Sequence, residues 1–147
     1  MKETERFEKS VAESLKKVGW YPGRRIPDEK LQQWETELAE HNVGLNTYAK
    51  EFLKEFGGLE IKKLVEPYSV AFIVVPTKDI EFDLCTKEYE PEVGCELSPL
   101  GESPGHAIFA VGEDGRVYLL GDWYWIVGDN VAEAMNNIVL NIPSRKG

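Results

Sequence analysis

The chain is poor in the residues that small domains use for chemistry. It carries two cysteines, Cys85 and Cys95, and two histidines, His41 and His106, in 147 residues. No pair among them has the close C-x₂₋₄-C or H-x₃₋₅-H spacing of a zinc site, so they read as ordinary core or surface residues and no metal is expected. Two cysteines are also too few for the disulfide framework of a secreted scaffold. A Cys85–Cys95 bridge is sterically conceivable, but the compartment argues for two reduced thiols. No apolar run approaches the roughly 18 residues of a membrane span. Met1 to Lys9 is charged and lacks the apolar centre of a signal peptide, and no Asn-x-Ser/Thr acceptor occurs. The expectation is a cytoplasmic protein.

Nucleotide and metalloprotease motifs are missing too: there is no P-loop, no G-x-G-x-x-G and no H-E-x-x-H, so no cofactor is expected. Gly101-Glu102-Ser103-Pro104-Gly105 fits the letters of the serine-hydrolase nucleophile elbow. That elbow needs the backbone N–H after the serine as an oxyanion donor, and Pro104 has none. The segment reads as a loop. No catalytic residue and no small-molecule substrate are expected.

What the chain does have is enough apolar side chain for a core. Hydrophobic residues make up 42% and aromatics 11%, and 147 residues is the size of one domain. Net charge is −9. Residues 1–60 hold 12 acidic and 10 basic side chains, a balance of −2; residues 61–147 hold 14 and 7, a balance of −7. Eight carboxylates (Asp79, Glu81, Asp83, Glu88, Glu90, Glu92, Glu96 and Glu102) face Lys87 alone between positions 79 and 102. Nucleic acid and anionic membranes both require cationic surface, so neither is the expected partner. A basic protein is. Tyr89, inside the acidic stretch, is the candidate anchor.

Periodicity places the elements. Phe7, Val11, Leu15 and Val18 predict a helix over 3–18, ended by Gly19 and Pro22. Asp28 is a candidate N-cap for a second helix carrying Leu31, Trp34 and Leu38 on one stripe. A third, about 47–56, turns Tyr48, Phe52, Leu53 and Phe56 inward and stops at Gly57-Gly58. Period two then takes over. Leu59, Ile61 and Leu64 begin a strand region, Val70 to Val75 is a short apolar strand, and residues 80–84 alternate so that Glu81 and Asp83 share a solvated face. Residues 91–105 read as a long surface connection. Strands over 106–111 and 116–120 flank the turn Gly112-Glu113-Asp114-Gly115, and Trp123 to Val127 forms another. The aromatics of Trp123-Tyr124-Trp125 are either core on both faces or a patch presented to a partner. Asn130 and Glu133 make a capping box for a last helix along which Val131, Met135, Ile138 and Ile142 align. Arg24 and Arg25 read as helix-end caps or partners of local acids. The expected fold is α+β: N-terminal helices, a mainly antiparallel twisted sheet and a C-terminal helix in one domain over 1–147.

Five segments in this order resemble the SUKH superfamily of bacterial immunity proteins, and within it the third group. They are Gly19-Trp20-Tyr21-Pro22-Gly23-Arg24, Phe52-Leu53-Lys54-Glu55-Phe56-Gly57-Gly58-Leu59, Pro99-Leu100-Gly101-Glu102, Asp114-Gly115-Arg116-Val117-Tyr118 and Gly128-Asp129. The resemblance spans about residues 7–140. It implies a domain encoded beside a secreted toxin, often a nuclease, which protects by binding the toxin's catalytic domain. Its motifs are caps, turns and core aromatics, so they carry no interface residues. Two other functions stay open at this point. One is a regulatory protein-binding adaptor; the other is a small enzyme or ligand-binding domain using Glu81, Asp83 or Glu102.

Overall fold

The computed structural model describes residues 6–64, 69–77, 85–104 and 107–147. Three helices come first: α1 (Lys9–Lys17), α2 (Asp28–Ala39) and α3 (Thr47–Phe56). Then follow β1 (Glu60–Lys62), β2 (Val70–Ile73), α4 (Cys85–Val93), β3 (Leu97–Ser103), β4 (Ala107–Gly112), β5 (Val117–Leu120), β6 (Tyr124–Gly128), α5 (Val131–Val139) and β7 (Arg145–Lys146). The seven strands lie in one sheet in chain order, and every pairing is antiparallel. The α+β architecture predicted from helix-then-strand periodicity is the architecture found.

Alternation along β4 and β5 divides the core in two. Phe109, Val111, Val117 and Leu119 point to one face, where residues of α1, α2, α3 and α5 cover them. Ile108, Ala110, Tyr118 and Leu120 point to the other, beneath Tyr89 and Val93 of α4. The central strands are therefore buried on both sides.

The long connection expected over 91–105 is not there. Residues 85–93 form a helix and 97–103 a strand whose first five residues are buried. Pro91 and Gly94 suggested loop, yet Pro91 falls in the last turn of α4, and Gly94, at positive φ, donates its N–H to the Glu90 carbonyl to end it. Pro99 and Gly101 sit where the β3–β4 register slips. A Cβ on Gly101 would run into the carbonyl oxygen of Ile73, so glycine is required for β2 to approach this irregular strand.

Other corrections are smaller. Pro27 takes the N-cap position of α2, and Asp28 instead accepts from Arg25 at 3.1 Å. Tyr48 is 47% exposed, and Ile142 lies past the end of α5 and is 48% exposed. The expected strand over 80–84 lies outside the described residues. Arg24 does cap a helix: its guanidinium donates to the carbonyls of Glu55 (2.6 Å) and Gly57 (2.9 Å), the orphan acceptors at the end of α3. The Glu55 carboxylate accepts from Arg6 and from the Trp20 indole, which ties the segment after α1 to the same helix end.

Asn46 and Ser98 join the helical layer to the sheet. Asn46 Oδ1 accepts from the Ala49 N–H at 2.9 Å as the N-cap of α3, while Nδ2 donates to the Val111 carbonyl. The buried Ser98 hydroxyl accepts from the Asn46 N–H and donates to the Gly44 carbonyl. Asn46→Ala removes the cap and leaves the Val111 carbonyl without this donor. The expected loss, read from urea unfolding midpoints, is about 2–3 kcal/mol.

Candidate functional site

The carboxylates of residues 85–104 gather around α4. Glu88 and Glu92, one helical turn apart, are exposed, and so is Glu96 just beyond the helix end. Glu102 is half-buried and faces Ile108 across the β3–β4 ladder, on the α4 side of the sheet. Glu113, from the β4–β5 turn, is exposed and accepts from the Glu96 N–H. Asp79, Glu81 and Asp83 lie outside the described residues.

Two residues of the acidic stretch have structural duties that sequence spacing does not reveal. The Glu90 carboxylate, 18% exposed, accepts the Leu97 N–H at 2.9 Å and lies 3.8 Å from Lys87. It fixes the entry into β3. Tyr89 is half-buried, donates its hydroxyl to the Gly121 carbonyl at 2.6 Å and meets the Trp123 ring edge to face. It holds α4 against the sheet. A depression of about 210 Å³ between α4 and the α2–α3 connection is lined by Lys87, Glu90, Glu96, Ser98 and Glu113.

The aromatics of β6 and the turn before it divide between core and surface. Tyr124 belongs to the smaller core beside Tyr118. Trp123 and Trp125 are 37% and 36% exposed. Trp125 lies opposite Leu119 in the ladder, on the face covered by α5, whereas the Trp123 ring stands against Tyr89 of α4.

Chemistry finds little assembled. Ser103 ends β3 and pairs with Ala107 at the start of β4, so the chain passes from strand to strand and not through the strand–turn–helix that a nucleophile elbow requires. A cleft of about 380 Å³ between α3 and the start of α5 carries Glu51, Glu55, Asp114 and Asp129. Glu55 is held by Arg6 and Trp20, Asp129 by Arg116 and Arg145, and Asp114 by Tyr118. Among the described residues no group of three His, Cys, Asp or Glu side chains could hold a metal ion, and no helix is long and apolar enough to cross a membrane. His106 lies outside those residues.

A family model described as SUKH-3 immunity protein matches residues 7–141 of the chain. Searches of curated proteins and of solved structures found no match.

Beneath α4, Tyr118 is buried and its hydroxyl donates to Asp114 at 2.7 Å. Burial first, then the hydrogen bond and charge of Asp114, hold the phenol well above the usual tyrosine range. The native state thus keeps the proton that the unfolded chain gives up above about pH 10. Tyr118 contributes stability that is full below that pH and declines as pH rises further. In urea unfolding between pH 8 and 11, the stability gap between wild type and Tyr118→Phe is expected to narrow above pH 10. A constant gap would show that the phenol titrates normally.

Proposed function

The chain belongs to the SUKH-3 immunity protein family, and we propose that it neutralises a cognate bacterial toxin, in the cytoplasm, by occupying a basic surface of the toxin's catalytic domain. The observation that supports this reading beyond family membership is the acidic exterior of α4. Glu88, Glu92 and Glu96 are all exposed, and the nearby Lys87 is the only cation in residues 85–104. A nuclease domain, whose substrate is a polyanion, presents the complementary charge. Asp79, Glu81, Asp83 and Glu102 extend the same acidic stretch in sequence, and we assign them to the partner-facing set.

The mechanism is steric and electrostatic. Opposed charge raises the rate of encounter, and the bound domain covers the toxin's substrate surface. The toxin's covalent structure is unchanged, so no turnover, cofactor or metal is involved, and neither nucleic acid nor membrane is a partner. The decisive experiment co-expresses the chain with the product of its neighbouring gene. Rescue of growth with a toxin of unaltered mass is expected. A covalent adduct whose removal restores toxin activity would make the mechanism enzymatic.

Charge reversal tests the surface itself. Replacing Glu88, Glu92 and Glu96 together by lysine is expected to cut the on-rate about tenfold or more at low salt. Stability should move by no more than about 0.5 kcal/mol per site. Glu90→Lys is the contrasting variant, because it removes the acceptor of the Leu97 N–H and is expected to cost about 1–3 kcal/mol. A triple variant that associates at the wild-type rate would move the interface away from α4.

A further inference from the structure

Long-range charge brings a partner near but does not hold it; affinity requires a rigid group that loses water on contact. Tyr89 already spends its hydroxyl on Gly121 and sets its ring against Trp123. Trp123 is 37% exposed, yet its ring meets three partners. The indole N–H donates to the Gly147 carbonyl at 3.1 Å, the Tyr89 ring stands nearly perpendicular at 6.3 Å between centroids, and Tyr124 lies at 5.2 Å. Little side-chain entropy remains to be lost there on binding.

Acidic residues come near this ring on the α4 side, while Lys146, next to Gly147, pairs with Trp125 in the ladder. Asp122, exposed, precedes Trp123 in the chain. The carbonyl of Glu92 accepts from the Tyr124 hydroxyl at 3.4 Å, which brings the end of α4 to the same aromatic group. Glu92 and Glu88 present their carboxylates from adjacent turns of that helix. A fixed indole beside exposed carboxylates selects a planar cation. Guanidinium stacks on the ring while donating to the acids, whereas an ammonium is a compact, strongly hydrated charge that stacks less well.

We propose that Trp123, braced by Tyr89 and Tyr124 and flanked by Asp122 and Glu92, is the seat for an arginine side chain of the protein partner. This rests on the reading above that the partner is basic, and it names the residue that anchors it. Trp125, equally exposed but on the opposite face of the sheet, has no such role.

The test uses a capped hexa-arginine peptide as the probe, added to the full chain at low salt, with the indole N–H resonances followed by NMR. Trp123→Phe assigns the Trp123 signal. That signal is expected to shift on titration while the Trp125 signal stays in place. Trp123→Ala is expected to weaken peptide binding about fivefold, the size of a cation–π contact of about 1 kcal/mol. Trp123→Phe, which keeps a ring face, loses less, and a hexa-lysine peptide binds more weakly than hexa-arginine. Unchanged amide spectra away from residue 123 establish that both variants are folded. An unmoved Trp123 signal, equal movement of Trp125, or wild-type affinity in Trp123→Ala overturns the seat. Each of those results leaves toxin neutralisation standing, since that is judged separately by growth rescue.

Discussion

Burial of the central strands on both faces is the constraint from which the rest of this molecule follows. A sheet wet on one side needs only one covering layer. Here Ile108, Ala110, Tyr118 and Leu120 are as buried as Phe109, Val111 and Val117 on the other side. Among the described residues four helices serve the larger core, and one short helix covers the smaller one. That helix is α4, and its composition answers two demands at once. Tyr89 and Val93 face the sheet, while Glu88 and Glu92 face water. The acidic surface is thus the outer side of a roof that the fold requires in any case.

How legible this was in the sequence depends on where each signal is stored. The α3 helix, the turn at 112–115 and the capping box at Asn130 are local: a stripe, a glycine, an oxygen three residues from an N–H. Asn130 does accept from the Glu133 N–H, and the Glu133 carboxylate accepts in return from the Asp129 N–H, one residue short of the reciprocal bond expected at Asn130. Segment 85–103 carries its information in tertiary contacts instead. Leu97-Ser98-Pro99-Leu100-Gly101 has neither alternation nor an apolar run, yet all five residues are buried, because Ser98 bonds to Gly44 and Asn46 and Gly101 makes room for Ile73. Pro91 and Gly94 marked the end of a helix that the pattern itself was too short and too charged to declare.

The same division runs through the candidate site. The net charge of the stretch is countable in the sequence, but composition treats Glu88, Glu90, Glu92 and Glu96 alike, and only three of these four are exposed. That Glu90 closes a backbone bond of β3 and that Tyr89 braces another aromatic required knowing what lies opposite them. Trp123 and Trp125 are identical in type, two positions apart and equally exposed, and only their neighbours, Tyr89 for one and Leu119 across the ladder for the other, distinguish them.

The division of labour along α4 bears on how such a protein can change over time. Its inward positions, 89, 90 and 93, are committed to ring, backbone and core contacts, and altering them disturbs the sheet beneath. The side chains of its outward positions, 88 and 92, are exposed to water, and only the backbone carbonyl of Glu92 is engaged, by the Tyr124 hydroxyl. Mutation there is nearly free of thermodynamic consequence, so a lineage can explore many surface chemistries on one unchanged framework. If the partner docks on α4 as proposed, a change of partner then needs only a few exchanges on one face of one helix, with the core left as it is.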